Sequence, residues 1–351
     1  MRRFLAIAGL ASLSCTGKEE PVSPPGVPDP DPAIVEEVHA SLKLTDAQAE
    51  PWLVEIWYHA DGDETLESFQ ITQIDGRPVV RVSGQRAGQG FSRVLNDGPE
   101  TAEYPAFQDP NRTPNATRKN IAARIEAIGD DHCLLVEYRE KSIVECVLRE
   151  PRSNDVVREV ALSPDGQVVY FSGSGKYAGI WCYHLSDRSL TRLTSAADAR
   201  QPLPIGDGVA WRESSFVKIA RPLSQQQANQ VKASSLPPGF SADWVGVDRS
   251  GSEPVVQASC GEPWRYARIT KGTWKTHTDQ GDQTGDFVGI LSQKGEYTVV
   301  IREADQWVAA ARVTPTGDSA NIDFRAQGLP AFRGEFVPAS AGWKVVDDCE
   351  G

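Results

Sequence analysis

Six cysteines, five histidines and a few acidic or glycine-rich clusters are the residues of this 351-residue chain with types suited to chemistry. His39, His59, His132, His184 and His277 are scattered. None stands in an HxH or HExxH pattern that would bring two imidazoles to one ion, so no histidine metal centre is expected. Gly173-Ser174-Gly175-Lys176 has the ending of a phosphate-binding loop, but the upstream glycine is missing. Tyr177 also stands where a hydroxyl for magnesium belongs, so the stretch reads as a turn between two strands. Asp61-Gly62-Asp63-Glu64 and Asp279-Gln280-Gly281-Asp282 bring carboxylates close together. Both lack the alternating ligands and closing bidentate Glu that calcium requires, and they read as acidic turns. No GxSxG elbow is present to expose a nucleophilic serine. The expectation is no catalytic residue, no metal and no cofactor.

The cysteines offer more. No CxxC occurs, which argues against a zinc knuckle or a thioredoxin-like centre. Cys133 and Cys146 flank the hairpin pattern CLLVEYREKSIVEC. A turn over Glu140-Lys141 sets both thiols on one face at diagonal positions, and a small register shift would bring them opposite. They are the candidate disulfide.

Cys15 stands apart because of what surrounds it. Arg2 and Arg3 precede ten apolar or small residues, Phe4 to Leu13. That run is shorter than the roughly 20 residues a membrane span needs and fits the apolar core of an export signal. The stretch ending in Ser12-Leu13-Ser14-Cys15 resembles a bacterial lipoprotein signal, with Ser12 where that family prefers Leu. Ser12 and Ser14 also satisfy the rule for an ordinary secretory cleavage. The resemblance implies a signal peptide over 1–14 and lipid (palmitate among the chains) on Cys15. Such chains hold a soluble domain at a membrane at about 0.8 kcal/mol per buried CH₂. With Cys15 lipidated, five cysteines remain, and at most two disulfides can form among them. Residues 15–33 then form a tether: Pro21, Pro24, Pro25, Pro28, Pro30 and Pro32 give an extended segment with little to bury. Thr16, not Asp, follows the cysteine, which by the same resemblance implies the outer membrane, with periplasmic or surface face open.

Charge limits the partners. There are 36 Lys and Arg against 48 Asp and Glu, a formal −12; without residues 1–14, which hold Arg2 and Arg3, 34 face 48 and the balance is −14. A nucleic-acid binder would show a basic face instead, and anionic lipid repels such a surface. Contact with membrane is expected through the anchor alone.

From residue 34 onward, short alternating or β-branched runs alternate with Asp-Gly, Gly-Asp and Pro punctuation, as in 52–63, 67–84, 133–138, 142–148, 287–291 and 297–303. The reading is all-β. Ser224–Ala233 predicts a short polar helix begun by a serine cap, Asp31–Leu44 leans to strand, and 85–120, rich in Gly, Asn and Pro, reads as a long loop. Residues 157–195 carry the strongest pattern: Leu162-Ser163-Pro164-Asp165-Gly166, then Val168-Val169-Tyr170-Phe171-Ser172, then Ile180 to Leu185, then Leu190 to Thr194. This resembles one unit of the β-propeller repeat of TolB-type, WD40-like bacterial proteins. Four short antiparallel strands make a blade that buries its faces only by stacking on neighbours. The resemblance therefore implies more blades, with Trp244–Thr270 and Ala310–Phe324 as degenerate units. At about 40–45 residues each, 34–351 predicts a propeller of seven four-stranded blades, or six or eight. The competing architecture is two β-sandwich domains, with an immunoglobulin-like first domain over 36–150.

The functional expectation is an envelope lipoprotein whose propeller is a non-catalytic scaffold or binding module for a protein partner. The alternative is a propeller lyase or hydrolase acting on glycan, with carboxylates gathered from different blades. Of nine tryptophans, most should pack between sheets. One or two at a rim would stack on a sugar or anchor a partner.

Overall fold

Among the described residues the alternating runs form strands, with one short α-helix between them. In the computed structural model the described residues are 35–37, 43–44, 51–95, 115–151, 157–324 and 332–347, apart from 61–62, 75–76, 119, 142, 234, 250–253, 279–280 and 304–305 within those spans. The leader, Cys15, the tether and Cys349 lie outside them. Among the described residues no helix is long and apolar enough to cross a membrane.

The chain begins with β1 (Val35–Glu37), β2 (Lys43–Leu44) and β3 (Trp52–His59). A three-stranded meander follows: β4 (Glu64–Ile74), β5 (Arg77–Arg86) and β6 (Gln89–Leu95). Ala87 and Gly88 between β5 and β6 have φ of 48° and 79°, the left-handed pair a two-residue hairpin turn needs. Residues 85–95, expected to open a long loop, are therefore a hairpin. Next come β7 (Asn115–Arg118), β8 (Ile121–Ile128), β9 (Asp131–Tyr138) and β10 (Ile143–Pro151). The segment with the strongest pattern forms β11 (Val157–Leu162), β12 (Val168–Gly173), β13 (Gly179–His184) and β14 (Ser189–Thr194), each antiparallel to the next. A third run is β15 (Arg200–Ile205), β16 (Gly208–Glu213) and β17 (Phe216–Pro222).

The amino-terminal strands complete these sheets in turn. β1 lies parallel to β10, β2 parallel to β14, and β3 antiparallel to β17. One segment thus laces the edges of three successive sheets. Its last strand belongs with residues 216–222, so 36–150 does not close by itself into the sandwich considered above. The sheets bury their faces on one another. Leu134, Val136 and Val147 pack with Val160, Phe171 and Tyr183, while Leu66, Phe69 and Val82 pack with Ile205, Ala210 and Ile219.

Helix α1 (Gln225–Val231) starts at Ser224, whose hydroxyl accepts from Gln227 N at 3.3 Å while the Gln227 side chain accepts from Ser224 N at 2.8 Å. This reciprocal capping box satisfies two otherwise orphaned N–H groups. The remaining strands are β18 (Asp243–Gly246), β19 (Val256–Ser259), β20 (Glu262–Pro263), β21 (Tyr266–Thr270), β22 (Thr273–Thr278), β23 (Gly281–Gln293), β24 (Glu296–Glu303), β25 (Gln306–Thr316), β26 (Ser319–Phe324), β27 (Phe332–Pro338) and β28 (Val345–Asp347). Helix α1 lies against β23 at Gly289, where a Cβ would stand 1.6 Å from Val231 O.

β21 to β27 run up and down in order, and β18 bonds to both β21 and β27. The result is a closed eight-stranded antiparallel barrel filled by Trp244, Trp274, Ile301, Ile322, Phe324 and Phe336. Trp244–Thr270 and Ala310–Phe324, expected as degenerate blades, are staves of this barrel. Their alternation is the same as a blade's, but the sheet curls until its edges meet, which removes both free edges. The seven-blade count over 34–351 is not carried by these sheets. β25 joins the two halves: Trp307 and Val308 pair with Leu53 and Val54 of β3, while Ala311–Thr316 pair with β26. A small sheet, β20-β19-β28, lies beside the barrel.

Candidate binding cleft

The Ser163–Gly166 turn is held by its own side chains. Ser163 Oγ donates to Asp165 Oδ1 at 2.6 Å and accepts from the backbone N–H of Gln167 at 3.0 Å and of Val168 at 2.9 Å. Gly166 has φ of 74° and donates its N–H to Ser163 O at 2.9 Å, a position where a Cβ would strain the backbone. Ser, Asp and Gly each answer a specific backbone demand, which is why the motif reads so clearly in the sequence.

This turn forms one wall of a cleft. Asp165 and Gln167 face Asn120 and Ile121 at the start of β8 and Tyr138, Glu140 and Lys141 at the tip of the β9–β10 hairpin, around a volume of about 240 Å³. The opposite wall is tied down by Arg139 N donating to Asn120 O at 2.8 Å and by the Asn120 amide donating to Glu140. The sequence presented Tyr138–Lys141 only as a hairpin tip; that it faces the Ser163 turn depends on how two sheets stack, which spacing along the chain does not carry.

Behind the cleft, the sheet interface holds a polar cluster. Glu145 is buried, and Arg188 Nη2 donates to its Oε1 at 3.0 Å across the sheets. Burial first, and the Glu145 charge second, push the Tyr138 phenol above its ordinary value, against the pull of Arg188. Tyr183 rises to about 12, from burial first and then from Tyr138 and Glu145. Both phenols therefore keep their protons at neutral pH, and Tyr138 meets the cleft as a neutral hydroxyl. The arrangement suits hydrogen bonding to a partner's backbone or polar side chains.

A second polar group lies where β16, β17 and the end of β24 meet. Glu213 Oε1 accepts from Lys218 Nζ at 2.5 Å, with the two side chains 7% and 6% exposed. Oε2 accepts from Trp211 Nε1 at 3.0 Å and from Thr194 Oγ1 at 3.1 Å. Burial, followed by the Glu213 charge, raises Glu303 above its ordinary value of 4.5, against Lys218. Glu213 and Glu303 belong to strands of the same long sheet, and both oxygens of Glu213 are engaged by internal donors, one of them Thr194 from the neighbouring sheet. This is a tie between sheets.

Cys133 and Cys146 are buried thiols, not a disulfide. The turn over Glu140-Lys141 sets Cys146 opposite Leu135, and a bulge between Cys146 and Leu148 carries Cys133 on to Arg149. The register needed to bring the sulfurs together is not reached; Cys146 Sγ donates instead to Leu148 O at 3.3 Å. Cys182 is also a thiol, whereas Cys260 is disulfide-bonded. Gly175–Tyr177 is a single 3₁₀ turn between β12 and β13. Asp63 pairs with Arg86 at 3.0 Å, and Asp282 pairs with His277; positions 61–62 and 279–280 lie outside the described residues. Among the described residues, no group of three or more His, Cys, Asp or Glu is placed to hold a metal ion.

No protein-family model matches the chain, and no curated protein matches it. Solved structures with some likeness include TolB from Acinetobacter baumannii, at 12% identity and TM-score 0.23 over 82% of this chain and 65% of that one. The β-propeller domain of the Trilobed protease from Pyrococcus furiosus aligns at 6% identity and TM-score 0.24, over 80% of this chain and 94% of that one. A prolyl endopeptidase aligns at 14% identity and TM-score 0.24, over 81% and 41%. The chain thus spans just under two thirds of TolB and less than half of the endopeptidase. At these TM-scores none of the three bears on the site.

Proposed function

We propose that this chain is an envelope lipoprotein, anchored at the outer membrane by lipid on Cys15, whose propeller-like stack of sheets is a non-catalytic binding module for another envelope protein. The observation that carries the reading is the cleft between the Ser163 turn and the Tyr138–Lys141 hairpin tip. Its walls come from two separate sheets, and it presents an amide, an ammonium, a neutral phenol and carboxylates in one opening. Such a set suits recognition of a protein segment by hydrogen bonds. The anchor and compartment are supported by the apolar leader and proline-rich tether, and by a disulfide at Cys260, since disulfides persist in oxidising compartments. The glycan lyase or hydrolase alternative would have to use the cleft's own carboxylates, and these already serve the turns: Asp165 Oδ1 accepts from Ser163 Oγ and from Gln167 N, and Glu140 accepts from Asn120.

A photo-crosslinking residue at Gln167 in the membrane-bound protein tests this. One discrete adduct, lost on Tyr138→Ala with Asp165→Lys, is expected, and mass spectrometry of the mature amino terminus should find an acylated Cys15. No adduct, together with turnover of an envelope glycan by the purified domain, would refute the reading.

A further inference from the structure

The cleft also carries a charge pattern that narrows what enters it. Ile121, Tyr138 and Ile143 stand level across β8, β9 and β10, and Ile121 and Tyr138 line the opening. Glu145 is level with Val136, two positions before Tyr138, so Tyr138 and Glu145 are diagonal neighbours on one face. Glu145 therefore lies one step in from the row that floors the cleft. Leu185 N donates to Gln167 O at 2.9 Å, which brings the β13–β14 turn, with Asp187 and Arg188, to the same end of the stacked sheets.

Glu145 is only partly matched. The residue is 6% exposed, and Arg188 engages Oε1 alone; Oε2 is buried with no hydrogen-bond partner. A buried acceptor in this state is costly, because nothing replaces the water it gave up. Its charge is felt in the cleft. Burial first and the Glu145 charge second raise the Tyr138 phenol, and Glu145 outweighs the opposing Arg188. Glu140 and Asp165 add negative charge to the lining, against Lys141. Arg139, beside them in the chain, is drawn to Glu137 at 3.7 Å.

This field calls for a cation, and the walls select its kind. Among the described residues no three His, Cys, Asp or Glu converge as a metal ion needs. Ile121 and the Tyr138 ring instead give an apolar path towards Glu145. Lysine and arginine have the matching division, an apolar stem under a charged head, and a tyrosine ring attracts the head further. We propose that the partner protein sends a lysine or arginine side chain into this cleft, its stem along Ile121 and Tyr138 and its charge held by Glu140 at the lip and Glu145 at the floor. This rests on the cleft being the partner site and names the chemistry of that partner.

The test is fluorescence anisotropy of the purified mature protein with a fluorescein-labelled Gly/Ser peptide holding lysine, arginine, alanine or glutamate at its centre. The lysine and arginine peptides should bind about tenfold or more tighter than the alanine one, with glutamate weakest. The preference should shrink as salt is raised. Glu145→Gln, which keeps the shape and removes the charge, should weaken lysine binding several-fold, and so should Glu140→Gln. Circular dichroism checks folding; if Glu145→Gln does not fold, Glu140→Gln at the exposed hairpin tip decides. No binding of the lysine peptide, equal binding of the alanine peptide, or a preference unchanged by these substitutions would each overturn the proposal. A Gln167 adduct formed without any peptide preference refutes this proposal alone, whereas the absence of an adduct removes the cleft reading beneath it.

Discussion

Replacing Lys218 by methionine is the sharpest test of how these sheets are held. The ammonium lies 2.5 Å from Glu213 Oε1, and the two side chains are only 6% and 7% exposed. Methionine keeps the length and apolar stem but removes the charge, leaving a buried carboxylate without its counter-ion. Breaking a buried pair in this way costs about 3–5 kcal/mol. The loss should sit near the lower end, because Trp211 Nε1 and Thr194 Oγ1 still donate to Oε2. Removing the carboxylate as well, with Glu213→Leu, cancels the uncompensated charge but strands those two donors, at roughly 1–3 kcal/mol each. A double-mutant cycle read by urea denaturation of the mature protein should therefore give a coupling of about 2 kcal/mol or more. A single-mutant cost under about 1 kcal/mol with no coupling, the behaviour of an exposed pair, would refute the claim that this contact is desolvated.

Further outcomes are as specific. Glu303 is raised above 4.5 chiefly by burial, so the folded state holds that proton more tightly than the unfolded chain. Its penalty is absent below the unfolded value and grows as pH rises towards the folded one. Glu303→Gln should accordingly stabilise the protein at neutral pH and lose that advantage in acid, as denaturation at the two pH values will show. Ser163→Ala, which strands the N–H of Val168 and weakens that of Gln167, should cost about 1–2 kcal/mol, and Gly166→Ala at φ 74° a similar amount by thermal melting. Cys260 is disulfide-bonded, whereas Cys133, Cys146 and Cys182 are thiols. Peptide mapping without reductant should find Cys260 in a cross-linked peptide and Cys133, Cys146 and Cys182 alkylated once the protein is unfolded; a Cys133–Cys146 peptide would contradict the register of β9 with β10.

Local demands were legible in the sequence, and meetings between distant segments were not. The Ser163 turn, the Ser224 cap and the short turn at Gly175 are written in adjacent residues because each answers a backbone need within five positions. Ala87-Gly88 was equally local, yet hidden among the glycines and prolines that made 85–120 resemble a loop. Barrel closure rests on β18 meeting β27, with Trp244 level with Pro338, and strand alternation is identical whether a sheet stays open or curls shut. The cleft has the same origin: Tyr138 and Asp165 each sit in a turn that reads correctly alone. Cys133 and Cys146 show how one bulge, invisible in spacing, decides whether two thiols can join.

The lacing of Val35–His59 along three sheets sets the order of assembly. These strands are synthesised first, yet β1 waits for Ile143–Pro151, β2 for Ser189–Thr194 and β3 for Phe216–Pro222. Loops that long are costly to close before contacts repay them. An emerging chain therefore cannot settle until nearly two thirds of it has appeared, which leaves it pliable during any passage across a membrane. Its final stitches then lie next to the point from which a lipid tether would pull.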